Sequence, residues 1–165
     1  MYTAVATLRG VALLIAGAAG LVFVAPPVAA EEQALQFKLV TQRVGAPSEL
    51  PEIGGHKVTV GEYMGVATFA DGRIAHKRFV DVSDDTASSG SFKGYSTYTF
   101  ENSDSLTLSY SGGWDGNGAR GEYKVISGTG KFAGATGSGS FTGLDEPWDD
   151  AHLWDVSLTL TLATQ

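Results

Sequence analysis

Residues 152–162 read HLWDVSLTLTL. Trp154, Val156, Leu158, Leu160 and Leu162 fall on one side, and Asp155, Ser157, Thr159 and Thr161 on the other. A repeat of two fits a strand with one buried face, and no helix could gather those apolar side chains together. The same alternation recurs along the chain from Glu31 onward, and no stretch there has convincing helical spacing. LQFKLVTQR sets Leu35, Phe37 and Leu39 on one face. After a loop with Pro47, Pro51 and Gly54-Gly55 come KVTVGEYMGVATFA and RIAHKRFVDV, joined at Asp71-Gly72. SFKGYSTYTFE and SLTLSYSG form a second hairpin across Asn102-Ser103-Asp104, and GARGEYKVIS, GSGSFTGL and the final strand complete eight. Short connections make all of them antiparallel, and closing the sheet on itself removes the edges that invite aggregation. The expected fold is all-β, an eight-stranded antiparallel closed β-barrel.

The amino terminus follows different rules. Arg9 is the only charge before Glu31, Gly10 to Val24 is apolar throughout, and Val28-Ala29-Ala30 follows two prolines. That pattern reads as a secretory signal cut after Ala30, and its apolar run is shorter than the ~20 residues of a spanning helix. The expected organisation is therefore a cleaved signal at 1–30, a strand and Pro/Gly loop at 31–56, and the rest of one barrel domain at 57–165. The expected location is secreted or periplasmic, with no membrane insertion after cleavage. The chain contains no cysteine, so an exported domain would rest on its core alone. Residues 31–165 hold ten basic and eighteen acidic residues, a formal charge of −8. Such a surface argues against nucleic acid or an anionic membrane as partner.

Glycines crowd ISGTGKFAGATGSGSF, residues 126–141. The spacing is wrong for a dinucleotide fingerprint, Lys131 lacks the following Ser or Thr of a P-loop, and no helix follows to hold an anion. A tight connection between strands remains, with Gly128 and Gly130 supplying positive φ, later glycines allowing close approach, and Phe132 plugging the barrel end.

Gly128 to Gly137, GTGKFAGATG, fits the pattern G-[ST]-G-x-F-x-G-A-x-G. It resembles the glycine-rich turn of the allene oxide cyclase barrels, and more loosely that of plant dirigent proteins. Resemblance extends over roughly residues 57–162, although only the turn is specific. It implies an eight-stranded barrel with an apolar lumen, often trimeric, whose plant members bind lipophilic substrates and steer cyclisation or radical coupling. The plant cyclase pocket is associated with a cysteine, which this chain lacks, so no catalytic residue is carried across.

The Asp71-Gly72 hairpin allows site residues to be placed. With a two-residue type I′ turn, Ala70 pairs with Arg73, and Tyr63, His76 and Arg78 share one side of the sheet. The other side opposes Glu62 to Asp81, which favours that side as the outer one. Tyr63, His76 and Arg78 would then form the polar end of an apolar pocket, Arg78 holding a carboxylate and His76 exchanging a proton. The alternative is a shifted register that leaves both basic side chains in solvent. Trp114, in GGWDGNG, falls at a barrel mouth, as a lid over the ligand or tucked across the end. Tyr110 shares a face with Leu106 and Leu108 and reads as core. The acids of LDEPWDD with His152 lack the spacing of a calcium loop or a zinc site, so no metal and no cofactor are expected. The function expected is an exported barrel that binds a small lipophilic molecule in its lumen, with or without isomerase or cyclase activity of the allene oxide cyclase type. The alternatives are a non-catalytic carrier and a structural barrel, a homo-oligomer, whose lumen is filled by aromatic side chains.

Overall fold

The alternating segments become strands in the computed structural model, which describes residues 30–145 and 148–163. The expected signal, apart from Ala30, and Glu146-Pro147 of the acidic turn lie outside the described residues. Eight long strands appear: β1 (Glu31–Arg43), β3 (Lys57–Phe69), β4 (Ile74–Asp85), β5 (Gly90–Phe100), β6 (Ser105–Asp115), β7 (Gly118–Gly128), β8 (Thr136–Gly143) and β9 (Ala151–Leu162). Each pairs antiparallel with its neighbour in the order β1-β9-β8-β7-β6-β5-β4-β3, and β1 pairs with β3 to close the barrel. A two-residue strand, β2 (Ser48–Glu49), continues the path of β1 along β3, opposite Val60 and Thr59.

Alternation sends one side chain in and the next out, and the inner set divides the barrel lengthwise. At one end Leu35, Phe37, Phe69, Phe100, Leu106, Leu108, Leu158 and Leu160 are all buried. Phe37 lies 4.6 Å from Phe69, Phe69 5.4 Å from Phe100, and Phe100 4.9 Å from Phe132, centroid to centroid. Burying each such side chain contributes about 1.5–3 kcal/mol, so this end holds much of the fold's stability.

The glycine-rich segment closes that end. Gly130–Phe132 forms one 3-10 turn, with no longer helix, and Phe132 is wholly buried beneath it. Thr129 exchanges hydrogen bonds with Ser105: its amide donates to the Ser105 carbonyl, and its Oγ1 accepts from the Ser105 amide, both at 2.9 Å. Gly130 has φ +56°, and a Cβ there would meet Asp104. Gly134 and Gly137 also have positive φ, whereas Gly128, expected to, does not. Val125 is buried, but the adjacent Ile126 is half exposed because a bulge shifts the β6–β7 register between Thr107 and Leu108.

The β3–β4 hairpin departs from expectation. Phe69 and Arg73 close it, with the Arg73 carbonyl accepting from the Phe69 amide and the Phe69 carbonyl accepting from the Gly72 amide, both at 3.0 Å. The loop is Ala70-Asp71-Gly72, with only Gly72 at positive φ (+85°): a three-residue turn ending in a glycine bulge rather than a type I′ turn. One extra residue inverts every side chain that follows. Ala67 therefore pairs with Ala75, Gly65 with Lys77, Tyr63 with Phe79 and Gly61 with Asp81 on the inside. His76 and Arg78 point outward, where Arg78 pairs with Glu62. The shifted-register alternative is the one observed.

Candidate functional site

The opposite end of the barrel is hollow. An open-mouthed cavity of about 720 Å³ is walled by Tyr63, Phe79, Phe92, Tyr110, Tyr123, Phe141, Trp114 and Trp154, with Arg43, Lys77, Asp81, Ser83 and Asp85 among them. Alternation along β4 places the last four of these, with Phe79, on a single inward face. The rim comprises the β6–β7 turn (Gly116 to Ala119), the start of the β8–β9 connection (Gly143 to Asp145) and His152.

Lys77 sits deepest. Its side chain is 3 % exposed, and its Nζ donates to Tyr123 Oη at 2.8 Å, to which Tyr98 also donates at 3.3 Å. Four rings surround the amine: Phe79 at 4.3 Å, Tyr123 at 5.1 Å, Tyr98 at 5.2 Å and Tyr110 at 5.5 Å. Burial costs the ammonium its hydration and lowers its pKa from 10.5 to about 7, although Asp81 opposes the change. The ring faces offset part of that cost.

Asp81 lies nearer the mouth, and burial raises its pKa, aided by Asp85 and opposed by the Tyr110 hydroxyl and Lys77. Tyr110 Oη is 2.8 Å from both Asp81 Oδ1 and the Val80 carbonyl. The one phenol proton is shared between these two acceptors. The reach of Tyr110 depends on Gly94, where a Cβ would stand 1.9 Å from the Val80 oxygen and 2.6 Å from Tyr110 Oη. Burial raises the pKa of Tyr98, Tyr110 and Tyr123, so all three stay protonated through neutral pH.

The mouth is held by further pairs. Trp114 Nε1 donates to Asp85 Oδ1 at 2.7 Å, and Ser83 Oγ to Asp85 Oδ2 at 2.9 Å. Tyr63 stacks on Phe79 at 4.8 Å and accepts from Arg43 Nη2 at 3.0 Å. Trp154 Nε1 donates to the buried Thr41 Oγ1 at 3.0 Å.

Of the residues singled out in the sequence, Tyr63 and Trp114 line this cavity, while His76 and Arg78 stand on the outer wall. Tyr110 is buried yet also lines the cavity, so it is more than core. Sequence reasoning missed Lys77, Asp81 and Arg43. The available signal was His76-Lys77-Arg78 itself: any strand through three consecutive basic residues must turn at least one inward. Nothing in that run says which.

By sequence the chain matches no protein-family profile and no curated protein. By structure it resembles two pterocarpan synthase dirigent proteins. The likeness to one has a TM-score of 0.62 over 82 % of this chain and 97 % of that one. The other gives 0.58 over 82 % and 92 %, and both are 13 % identical in sequence. The chain thus has the dirigent-like barrel fold, as the glycine-rich turn led one to expect.

Proposed function

We infer that this dirigent-like barrel is exported and takes a small, lipophilic, ring-bearing molecule into its hollow half. The observation that carries the reading is the asymmetry of the lumen: one end is packed with side chains, and the other leaves about 720 Å³ lined by aromatic rings. That volume suits a small organic ligand, and an apolar wall with a few inward polar groups is how such sites fix orientation. Rings would lie against Phe92, Tyr110, Phe141 and Trp154, and a polar group on the ligand would meet Arg43, Lys77 or Asp81. His76 and Arg78 have no part in it.

Isomerase or cyclase chemistry is a second reading, favoured by two ionisable groups, Lys77 and Asp81, inside an apolar lumen. Holding a flexible substrate in one conformation beside them would be the source of rate. Self-association is a further part of the proposal. The outer face of β3 and β4 exposes Val60, Met64, Val66, Val80 and Val82, an apolar strip that a second copy could cover.

Two measurements test the binding reading. Native mass spectrometry of protein recovered from the compartment it is exported to should show a retained lipophile. Naphthalenemethanol, an aromatic alcohol, should quench the fluorescence of Trp114 and Trp154 with one-to-one saturation. Empty protein and unchanged fluorescence together would overturn it.

A further inference from the structure

We propose that Lys77 captures carbonyl compounds: an aromatic aldehyde or ketone entering the hollow half condenses with Nζ to form an imine. This rests on the lumen being a ligand site and adds the chemical class of ligand that site would take.

The first support is placement. Lys77 lies at the inner end of the cavity, so a molecule that enters ring-first or carbonyl-first from the mouth runs toward it. The second is the amine's partnership. Among the described residues Lys77 enters no ion pair, and its one hydrogen bond is to Tyr123 Oη. An ammonium has three donors, and two here face aromatic rings; a neutral amine or a planar imine leaves fewer unanswered. Lys38 and Lys57, by contrast, pair with Asp155 and Glu49 on the outer surface. The third is protonation. Burial holds Nζ at about 7, so near neutral pH a large share carries a free lone pair, as nucleophilic lysines require. Arg43, Asp81, Asp85, Asp145, His152, Tyr63, Tyr98, Tyr110 and Tyr123 are the other ionisable groups around this space, and Arg43 and the rim's His152 are the basic ones among them.

The step balances without any oxidant or reductant. The Nζ lone pair forms a bond to the carbonyl carbon, the carbonyl π electrons move to oxygen, and one proton passes from nitrogen to oxygen, giving a carbinolamine. Its C–O bond then breaks as the oxygen takes a second proton and leaves as water. The nitrogen gives up its last proton and completes the C=N bond. Tyr123 Oη, 2.8 Å from Nζ, is placed to relay the first proton. Asp81, an inward-facing acid whose pKa burial raises and whose Oδ1 lies 2.8 Å from Tyr110 Oη, is placed to supply the second.

The test equilibrates the full chain with naphthaldehyde at several values from about pH 6 to about pH 9, quenches with borohydride, and maps the resulting secondary amine by peptide mass. Lys77 should carry the adduct at roughly tenfold or more over any other lysine at neutral pH. Lys131 is the sharpest comparison, because partial burial lowers its amine as well. Labelling at Lys77 should level off just above about pH 7 while surface lysines keep rising, and Lys77→Arg should lose the adduct. Adducts spread over surface lysines, or none at Lys77, overturn the proposal. Naphthalenemethanol separates the two readings. If the alcohol quenches tryptophan fluorescence and the aldehyde leaves Lys77 unmodified, carbonyl capture fails and the ligand site stands. If neither compound engages the lumen, both fail.

Discussion

A lysine buried among four rings binds its proton less tightly than the same lysine in the unfolded chain. For Lys77 the folded value is about 7 against 10.5, so between these values the unfolded chain holds more protons. Stability must then rise with pH across that window, while below about 7 both states are protonated and the penalty is constant. Each pH unit inside the window is worth up to about 1.4 kcal/mol. Asp81 acts in the acid range instead: its raised pKa removes stability as pH climbs from the usual carboxylate value through its own. The buried tyrosines matter only in alkali, since burial raises them all. Lys77→Met keeps the length and apolar stem but has no proton to lose. Urea unfolding at about pH 7 and about pH 9.5 should show wild-type stability rising by up to about 3 kcal/mol and the variant nearly level. At neutral pH the variant should be the more stable by about 1–3 kcal/mol. Parallel behaviour of the two proteins would mean that the amine is solvated. A fold that retains this cost is one reason to look for chemistry at Nζ.

At the scale of the element, the β3–β4 hairpin decides which chemistry the lumen contains. Asp71-Gly72 marks the turn in the sequence but does not count its residues: the pair fits a two-residue loop with both at positive φ, or a three-residue loop with only Gly72 there. The observed φ of +85° at Gly72, with Asp71 on the ordinary side, selects the second. A β-branched residue cannot adopt that conformation without strain. Gly72→Val should therefore destabilise by about 1–2 kcal/mol, and Gly72→Asn by clearly less, in matched thermal or urea unfolding. Equal effects would remove the bulge. The ambiguity also explains what was legible. Strands such as β9 and β1 declared themselves because Leu35, Phe37, Leu39, Leu158 and Leu160 alternate with polar residues, so that only one face can be buried. On β4 both faces mix charge with hydrophobe, Lys77, Phe79 and Asp81 against His76, Arg78 and Val80. Composition cannot choose between them, and turn length does. The lumen's polar groups were hidden for that reason; Tyr63 precedes the turn and does face inward, although the Glu62–Asp81 opposition that put it there does not form, since Glu62 pairs with Val80.

For the whole molecule, the barrel's two halves separate tasks that most small domains must combine. Packing fills the Phe132 end, whereas at the mouth end the rings pack along the wall and leave the space between them open. A substitution that fills the hollow without touching the packed end should then abolish binding while leaving the fold intact. Ala119 is suited to this. It is on the rim at the start of β7, lines the cavity, and has Gly143 and Trp114 beside it. Its side chain takes part in none of the buried aromatic contacts. Ala119→Phe would place a ring in the mouth, where the wall is already aromatic and the space is open. Surface-like positions of this kind shift stability by about 0.5 kcal/mol or less. Binding, which needs the entrance, should weaken by at least roughly tenfold, about 1.4 kcal/mol. Titration of naphthalenemethanol against tryptophan fluorescence, beside urea unfolding of the same samples, reads both quantities. If stability and affinity fall together, the two halves are not independent and the mouth is part of the core. If neither changes, the ligand does not enter between β6, β7 and β8. The expected result, a stable barrel that no longer takes its guest, would locate the entrance without knowledge of the natural ligand.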